Sequence, residues 1–383
     1  MTKLPYREHH LLTLLSGYSD QSLPLDLFIS GYFRAHKALG SKDRGYIAET
    51  AYSMVRWQGL LDHVGGFPGW DERFAVYQAG NLAEHQKNVD IPLHIRMSFP
   101  KNLFDLLVKN YGETRACELC LISNKAAPTT VRANVMKTSR EALLELWKDR
   151  FPVEPCAHSS VGILFREKTN FFCLPEFQAG LFEVQDEGSQ LVSTLVQAEP
   201  GQHVLDYCSG SGGKTLAFAP HMQGKGQIYV HDVRKRALQE ARIRLRRAGI
   251  QNIQIVQAES PQLKTLKKKM DWVLVDAPCT GTGTMRRNPD MKWRFSDEML
   301  QRLVGQQRMI FEKALSFLKP TGTIVFVTCS ILKEENEEQV AHFMKTYGLE
   351  VMGEPFQSMP SDGGMDGLFG IRLKLGKANG HGQ

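Results

Sequence analysis

The chain has 383 residues, a formal net charge of +6 and 42% hydrophobic residues, a composition typical of folded globular proteins and long enough for two or three domains. Its seven cysteines at irregular spacing exclude a disulfide-framework protein and favour a reduced, cytoplasmic one. No stretch approaches the roughly eighteen uninterrupted apolar residues of a membrane span, so we expect no membrane role, and the mild positive charge permits a polyanionic partner without requiring one.

The first region, residues 1–92, has a helical pattern. In the segment SKDRGYIAETAYSMVRW, Ser41 is a candidate N-cap. Four apolar residues then recur at helical spacing and define one face: Ile47, Ala51, Met54 and Val55. We expect a helical N-terminal domain.

The second region, residues 93–183, combines predicted helices with predicted strands. A helix follows Pro100, a short strand is predicted at Thr129–Val135, and another helix at Arg140–Asp149. This mixture predicts a small α+β module.

The third region, residues 184–376, alternates strands and helices at the spacing of an α/β domain with a parallel sheet. The predicted strands are Val204–Tyr207, Gln227–His231, Ile253–Gln257, Trp272–Asp276, Thr323–Thr328 and Phe369–Leu375. The glycine-rich residues 377–383 are expected to form a disordered tail.

A glycine-rich loop, CSGSGGK, lies between the first predicted strand of this region and a helix. It matches neither the dinucleotide fingerprint nor a P-loop, and a plain turn would also use glycine. Acids at the ends of the next strands sharpen the interpretation: Asp232, Glu259 after the third strand, and Asp276. This order resembles the Rossmann-like fold of S-adenosylmethionine-dependent methyltransferases. The resemblance implies the loop under the methionine part, Asp232 on the ribose and Glu259 near the adenine.

Two cysteines carry the strongest chemical signal. Cys279, in DAPCTGTG, and Cys329, in TCSILKEENEE, each follow a predicted buried strand. The carboxyl ends of strands in an open α/β sheet face the ligand crevice, so both thiols are expected in one pocket. Methylation of carbon 5 of cytosine needs a nucleophile, and a thiolate adding to ring carbon 6 makes carbon 5 reactive.

The motifs around these cysteines resemble those of the Nop/Sun family of RNA cytosine-5 methyltransferases, most closely its bacterial RsmB-like ribosomal-RNA branch. They are Asp276–Cys279, Thr328–Ser330 with Glu334–Glu337, RRNPDMKWR at Arg286–Arg294, and VQDEGSQL at Val184–Leu191. The resemblance implies a partial NusB-like helical region, an RNA-facing α+β module and a methyltransferase domain. It also implies S-adenosylmethionine as cofactor and 16S ribosomal RNA as substrate. We expect no metal and a monomer.

By this resemblance Cys329 is the nucleophile, Cys279 assists product release and Asp276 contacts the base or the methyl donor. The remaining donor-binding residues are then Cys208, Ser209, Gly210, Ser211, Gly212, Gly213, Lys214, Asp232 and Glu259. The family usually has proline at the position of Ser211 and aspartate at that of Glu259.

Basic residues follow the Cys279 loop and are predicted to contact RNA phosphates: Arg286, Arg287, Lys292 and Arg294. The basic helix Arg234–Arg247 is equally consistent with a solvated face.

Three alternatives stay open. In the first, the enzyme methylates transfer RNA instead of ribosomal RNA. In the second, the protein is a DNA cytosine-5 methyltransferase, which would attack with Cys279, and in the third it is a non-catalytic RNA-binding ribosome-assembly factor. A lone CxxC, Cys117 and Cys120, is a weak zinc signal.

Overall fold

The computed structural model describes residues 5–18, 23–66 and 69–376. Its described residues form two compact units. The first contains those up to Ala126 together with Thr280–Leu300, and the second contains Ala127–Cys279 together with those from Gln301 onward. The tail predicted at 377–383 lies outside the described residues. None of the described helices has the length and apolar character needed to cross a bilayer.

The first unit is helical, as the pattern in residues 1–92 predicts. Its helices are α1 (Tyr6–Gly17), α2 (Leu25–Ala35), α3 (Ser41–Arg56), α4 (Gln58–Gly65), α5 (Trp70–Ala79), α6 (Leu82–Lys87), α7 (Leu93–Arg96), α8 (Lys101–Tyr111) and α9 (Glu113–Ser123). The predicted apolar face of α3 is buried along its whole length. The predicted N-cap is wrong by one residue, because the helix begins at Ser41 and Gly40 precedes it without a side-chain cap.

The segment Thr280–Leu300 belongs to this helical unit through buried polar contacts. The ammonium of Lys292 donates to the carbonyl of Arg56 (2.7 Å) and to Asn124 Oδ1 (2.6 Å), and Trp293 Nε1 donates to the carbonyl of Val55 (2.7 Å). The last carbonyls of a helix have no partner inside the helix. Lys292 and Trp293 therefore satisfy the C-terminal end of α3, where a cation is also favoured by the helix dipole.

This grouping differs from the linear order of domains read from the sequence. Helices α8 and α9, predicted in the small α+β module, group with the helical unit, and so does Thr280–Leu300 from within the catalytic region. Apolar periodicity shows that a helix has a buried face, but not which neighbour covers it.

The second unit contains a small antiparallel sheet. Its strands are β1 (Thr129–Ala133), β2 (Val153–Pro155), β3 (Gly162–Phe165) and β4 (Phe182–Val184), in the order β2-β3-β1-β4. The accompanying helices are α10 (Arg140–Trp147), α11 (Pro175–Gln178) and α12 (Glu187–Ser193). Trp147 is fully buried, with the rings of Phe165 and Phe182 edge-on to it, so an aromatic cluster forms the core of this sheet.

The larger sheet of this unit confirms the predicted strand–helix alternation. Its strands are β5 (His203–Asp206), β6 (Gln227–Asp232), β7 (Ile253–Gln257), β8 (Met270–Asp276), β9 (Leu318–Thr328), β10 (Leu349–Val351), β11 (Phe356–Ser358) and β12 (Leu368–Leu375). The helices are α13 (Gly213–Phe218), α14 (Lys235–Ala248), α15 (Pro261–Thr265), α16 (Asp297–Leu315) and α17 (Glu337–Tyr347).

The strand order of the larger sheet determines where a ligand can bind. It runs β10-β12-β9-β8-β5-β6-β7, with β11 also paired to β12; β5 to β9 are parallel, and β12 is antiparallel to its neighbours. From β5 the chain proceeds outward through β6 and β7, then returns to the other side of β5 with β8 and β9. Such a reversal opens a crevice beyond the carboxyl ends of β5 and β8, the usual ligand site of this class.

Burial of Lys292 makes a testable prediction. Burial lowers the pKa of Lys292 well below its ordinary value. Lys292 therefore loses its proton at a lower pH in the folded chain than in the unfolded chain. Between these two pKa values the unfolded chain binds more protons, so the free energy of unfolding should rise as the pH increases toward the ordinary lysine pKa. Lys292→Met should weaken this dependence and, by leaving two buried acceptors unpaired, cost about 1–3 kcal/mol at mildly alkaline pH. Urea unfolding between pH 7 and 10 measures both, and an unchanged pH dependence would contradict the assignment.

Candidate active site

Cys279 and Cys329 meet beyond the carboxyl ends of β8 and β9. Their Sγ atoms are 3.4 Å apart, and both side chains are half-buried. The adjacent strands bring them together, because Asp276 on β8 pairs in register with Val327 on β9 and each cysteine follows shortly after. The structure therefore brings the two predicted thiols into contact.

The two thiols are not equivalent. The pKa of Cys329 is lowered, chiefly by the hydrogen bond between its sulfur and that of Cys279, and the charge of Lys214 acts in the same direction. Burial and the charge of Asp276 oppose this shift without reversing it. A thiolate is the nucleophilic form of cysteine, so the lowered pKa favours the reactive form of Cys329.

The backbone on both sides of Cys329 is tied to Asn336. Thr328 Oγ1 donates to Asn336 Oδ1 (2.5 Å), and Asn336 Nδ2 donates to the carbonyl of Ser330 (2.9 Å). These three residues are buried. Asn336, in the EEN string, therefore fixes the loop that carries Cys329 through hydrogen bonds on both sides of the cysteine.

Gln307 of α16 connects the Cys279 loop to the segment after Cys329. Its Nε2 donates to the carbonyl of Pro278 (3.1 Å) and to Glu335 Oε1 (3.0 Å), while its Oε1 accepts from Gln339 (2.7 Å). Gln307, Glu335 and Gln339 are fully buried. Buried, mutually satisfied polar groups of this kind hold a single arrangement, here the approach of the two cysteines.

Charged groups line the crevice beside the thiols. Lys214 Nζ lies 2.5 Å from Asp276 Oδ2, and both side chains are largely shielded from solvent. Burial alone would lower the pKa of Lys214, but the attraction and the hydrogen bond of Asp276 outweigh it, and the pKa is raised. We infer that the Lys214 side chain carries its proton.

Asp206, at the end of β5, is a further buried carboxylate that the sequence analysis did not single out. Its Oδ2 accepts from Thr215 Oγ1 (2.5 Å), whereas Oδ1 has no hydrogen-bond partner among the described residues. Burial raises the pKa of Asp206 to about 7. The rule that selected Asp232 and Asp276, an acid at a strand end, also applies to Asp206 and would have found it.

The glycine loop, Cys208–Lys214, turns tightly between β5 and α13. Ser209 N donates to the carbonyl of His231 (2.9 Å), and Gly210 N donates to Asp232 Oδ2 (2.9 Å). Gly210 and Gly212 have φ of +54° and +79°, which side-chain-bearing residues rarely adopt. A Cβ on Gly212 would also approach Ala241 of α14 to 3.4 Å. Glycine is therefore required here for geometry, and the loop exposes backbone to the crevice.

The other predicted donor-binding residues differ in their surroundings. Asp232 is buried, and its carboxylate also accepts hydrogen bonds from the side chain of Arg234, which is largely exposed. Burial raises the pKa of the Cys208 thiol, so this cysteine is not activated. Glu259 is exposed, in the turn after β7.

The predicted phosphate contacts need correction at two positions. Arg286 and Lys292 are each only 2% exposed, and the Lys292 ammonium is already bonded within the helical unit. A buried, bonded cation cannot reach a phosphate, so these two residues do not form an RNA surface in this structure. Arg294 is half-buried and paired with Asp290 (2.6 Å), and Arg287 is half-buried.

Comparisons with known proteins agree on one family. The family model for 16S rRNA methyltransferase RsmB/F matches residues 193–363, and that for an RsmF/B-like ferredoxin-like domain matches residues 99–171. Ribosomal RNA small subunit methyltransferase B of Photorhabdus laumondii is 32% identical over 353 residues, which are 88% of this chain and 77% of that protein. The probable methyltransferase B of Synechocystis is 31% identical over 287 residues, 74% of this chain.

The match spans 64% of the Synechocystis protein's own length, slightly less than two thirds.

Among solved structures, a methyltransferase homologue from Pyrococcus horikoshii superposes with a TM-score of 0.63 at 28% identity, covering 74% of this chain and 97% of that one. The larger sheet with its helices is therefore a Rossmann-like methyltransferase fold, as predicted.

The contact between the two sulfurs predicts a measurable change in reactivity. Cys279→Ala removes the hydrogen bond between them, so the pKa of Cys329 should rise and its alkylation by iodoacetamide should require a higher pH. Mass spectrometry of the peptide containing Cys329 across pH 6–10 gives the profile, with exposed Cys173 in the same digest as the internal control. A profile that does not move would contradict the hydrogen bond as the cause.

Proposed function

The chain belongs to the RsmB/F family of 16S rRNA methyltransferases, and we propose that it transfers a methyl group from S-adenosylmethionine to carbon 5 of cytosine in 16S ribosomal RNA. We propose further that the reaction proceeds through a covalent bond between Cys329 and ring carbon 6, in the cytoplasm and with the protein as a monomer. The observation that carries this proposal is the pair of thiols, 3.4 Å apart, at the switch-point crevice beside the glycine loop.

The residues around the glycine loop fit a cationic nucleoside. S-adenosylmethionine, when bound, supplies an electrophilic methyl group on a positively charged sulfonium. The unpaired Oδ1 of Asp206 and the nearby carboxylate of Asp276 favour positive charge in this crevice. The glycine loop would lie under the methionine part, and Asp232 would accept from the ribose hydroxyls once the exposed Arg234 side chain moves aside.

The target base must leave its stack to reach this pocket, at a cost of a few kcal/mol if it is paired. The Cys329 thiolate then adds to ring carbon 6, which makes carbon 5 nucleophilic toward the methyl group. After transfer, the proton on carbon 5 leaves and the bond from sulfur to carbon 6 breaks, which restores the ring double bond. Cys279 is the group positioned to assist this second stage.

Asp276 offers a reason for choosing cytosine over uracil. Its carboxylate is paired with Lys214 on one oxygen, so it is an acceptor. The amino group on carbon 4 of cytosine donates to such an acceptor, whereas uracil presents a carbonyl oxygen there and would be repelled. We propose that Asp276 recognises this amino group and that the hydrogen bond from Lys214 holds the carboxylate in place.

The attack by Cys329 distinguishes this proposal from the mechanism of DNA cytosine-5 methyltransferases, in which the cysteine after proline, here Cys279, is the nucleophile. The pKa of Cys329, lowered chiefly by its hydrogen bond with Cys279, supports the assignment. Ribosomal rather than transfer RNA is favoured by the matched family and by the names of its relatives. Of the four predicted RNA contacts, we retain Arg287 as a candidate.

The division of labour between the thiols predicts opposite results for two variants. Cys329→Ala should abolish both methylation and any covalent protein–RNA bond, because no sulfur adds to carbon 6. Cys279→Ala should still form this bond but resolve it slowly, so a denaturant-resistant protein–RNA band should accumulate in the presence of donor.

A denaturing gel of both variants with 16S ribosomal RNA and S-adenosylmethionine reads out this difference. A pH near 8.5 allows for the raised Cys329 pKa in Cys279→Ala, and Cys173→Ala is a control in which an exposed cysteine outside the glycine loop and the thiol pair is removed. A covalent band that survives Cys329→Ala and is lost in Cys279→Ala would reverse the assignment.

A further inference from the structure

The middle of the glycine loop is held by an arginine from the neighbouring helix. Arg244 of α14 donates from Nη1 to the hydroxyl of Ser211 (2.6 Å) and to the carbonyl of the same residue (3.0 Å). The preceding residues of the loop are held from β6, by the carbonyl of His231 and by Asp232. Ser211 is instead fixed by a side chain that is itself anchored elsewhere.

That anchor is Glu183 in β4 of the small sheet. Arg244 donates from Nε (3.3 Å) and Nη2 (3.1 Å) to Glu183 Oε2, and the glutamate side chain is only 4% exposed. A guanidinium carries its donors in a rigid planar fork. Arg244 therefore grips the carboxylate with one edge and presents a fixed donor to Ser211 with another.

Gln185, directly after β4, strengthens the same connection. Its Nε2 donates to the carbonyl of Gly213 in the glycine loop (3.3 Å), while its Oε1 accepts from Arg132 of β1 (2.7 Å). Two side chains from this end of the small sheet thus reach the loop, Gln185 directly and Glu183 through Arg244.

We propose that Arg244 is a positioning residue for the methyl donor, held in place by Glu183, so that the small sheet is a structural part of the donor site. A loop that is held in its binding conformation before the ligand arrives loses less entropy on binding, and affinity increases accordingly. The inference rests on the proposed function of the glycine loop as the donor site. Arg244 acts through Ser211 and not on the reacting atoms.

Arg247, one turn further along α14, provides a matched control. Its guanidinium pairs with the other oxygen of the Glu183 carboxylate and lies over the ring of Phe177, 3.9 Å from the ring centroid. Its side-chain contacts therefore involve the same buried glutamate without involving the glycine loop. Removing either arginine costs Glu183 one partner, but only Arg244 holds Ser211.

The test is isothermal calorimetry of S-adenosylmethionine and of its demethylated product, S-adenosylhomocysteine, with the full chain. Arg244→Gln should weaken both affinities roughly tenfold, because hydrogen bonds from a charged donor are lost. Ser211→Ala, which leaves Glu183 untouched and removes only the hydroxyl acceptor, should weaken them roughly threefold. Arg247→Gln should stay within about twofold of the unsubstituted protein.

Two further measurements separate positioning from general damage to the fold. The thermal midpoints of Arg244→Gln and Arg247→Gln should fall by similar amounts, since each leaves Glu183 with one arginine. Methyl transfer by Arg244→Gln should show a raised KM for the donor with kcat largely retained.

The outcomes are distinct. Unchanged donor affinity in Arg244→Gln, or equal losses in Arg244→Gln and Arg247→Gln, would overturn this inference while leaving the proposed function intact. Failure of the unsubstituted protein to bind the donor would contradict the proposed function itself, and this inference with it.

Discussion

The contact between Cys279 Sγ and Cys329 Sγ, 3.4 Å long, joins two loops that follow neighbouring strands of the larger sheet. It requires β8 and β9 to be neighbours in register, because the cysteines come from loops far apart in sequence. It also requires buried hydrogen bonds that fix both loops, from Gln307 of α16 to the loop of Cys279 and from Asn336 to the loop of Cys329. The pKa of Cys329 is lowered chiefly by this hydrogen bond between the sulfurs, so the contact favours the thiolate form of one of the two sulfurs.

Electrostatics in the crevice follow from the same topology. The ends of β5, β6 and β8 bring three carboxylates, Asp206, Asp232 and Asp276, to one edge of the sheet. Lys214 neutralises one of them at 2.5 Å, and burial leaves Asp206 with a pKa of about 7. Asp232 is likewise paired with Arg234, whereas Oδ1 of Asp206 has no hydrogen-bond partner among the described residues. We infer that this oxygen is an acceptor available to a bound ligand.

Sequence reasoning succeeded where the pattern is local. The predicted bounds of β5, β6, β7, β8 and β12 agree with the structure within two residues, because buried strands give continuous apolar runs. The prediction starts β9 at Thr323 instead of Leu318 and does not include the short edge strands β10 and β11. In this topology an acid or a cysteine at the carboxyl end of such a run lies at the crevice edge of the sheet. This rule selects Asp232, Asp276, Cys279 and Cys329. Ser41 shows the limit of a local rule, since α3 begins at that residue instead of after it.

Sequence reasoning failed where tertiary packing overrides the usual exposure of a charge. Lys292 was predicted to contact phosphate because lysine is normally exposed, but it completes the C-terminal end of α3 and lies between aromatic rings. The link from Glu183 through Arg244 to Ser211 joins residues far apart in the chain, so no local pattern indicates it. The basic pattern of α14 likewise does not show that Arg244 and Arg247 share one buried glutamate.

The most direct test of the central claim identifies the product. The purified chain is incubated with methyl-labelled S-adenosylmethionine in three separate reactions, which contain 16S ribosomal RNA, transfer RNA or DNA. The nucleic acid from each reaction is digested to nucleosides and analysed by mass spectrometry. We expect label in 5-methylcytidine from 16S ribosomal RNA alone. Label on any other base or ring position, label in transfer RNA or DNA instead, or no transfer at all from a protein that binds the donor, would contradict the account.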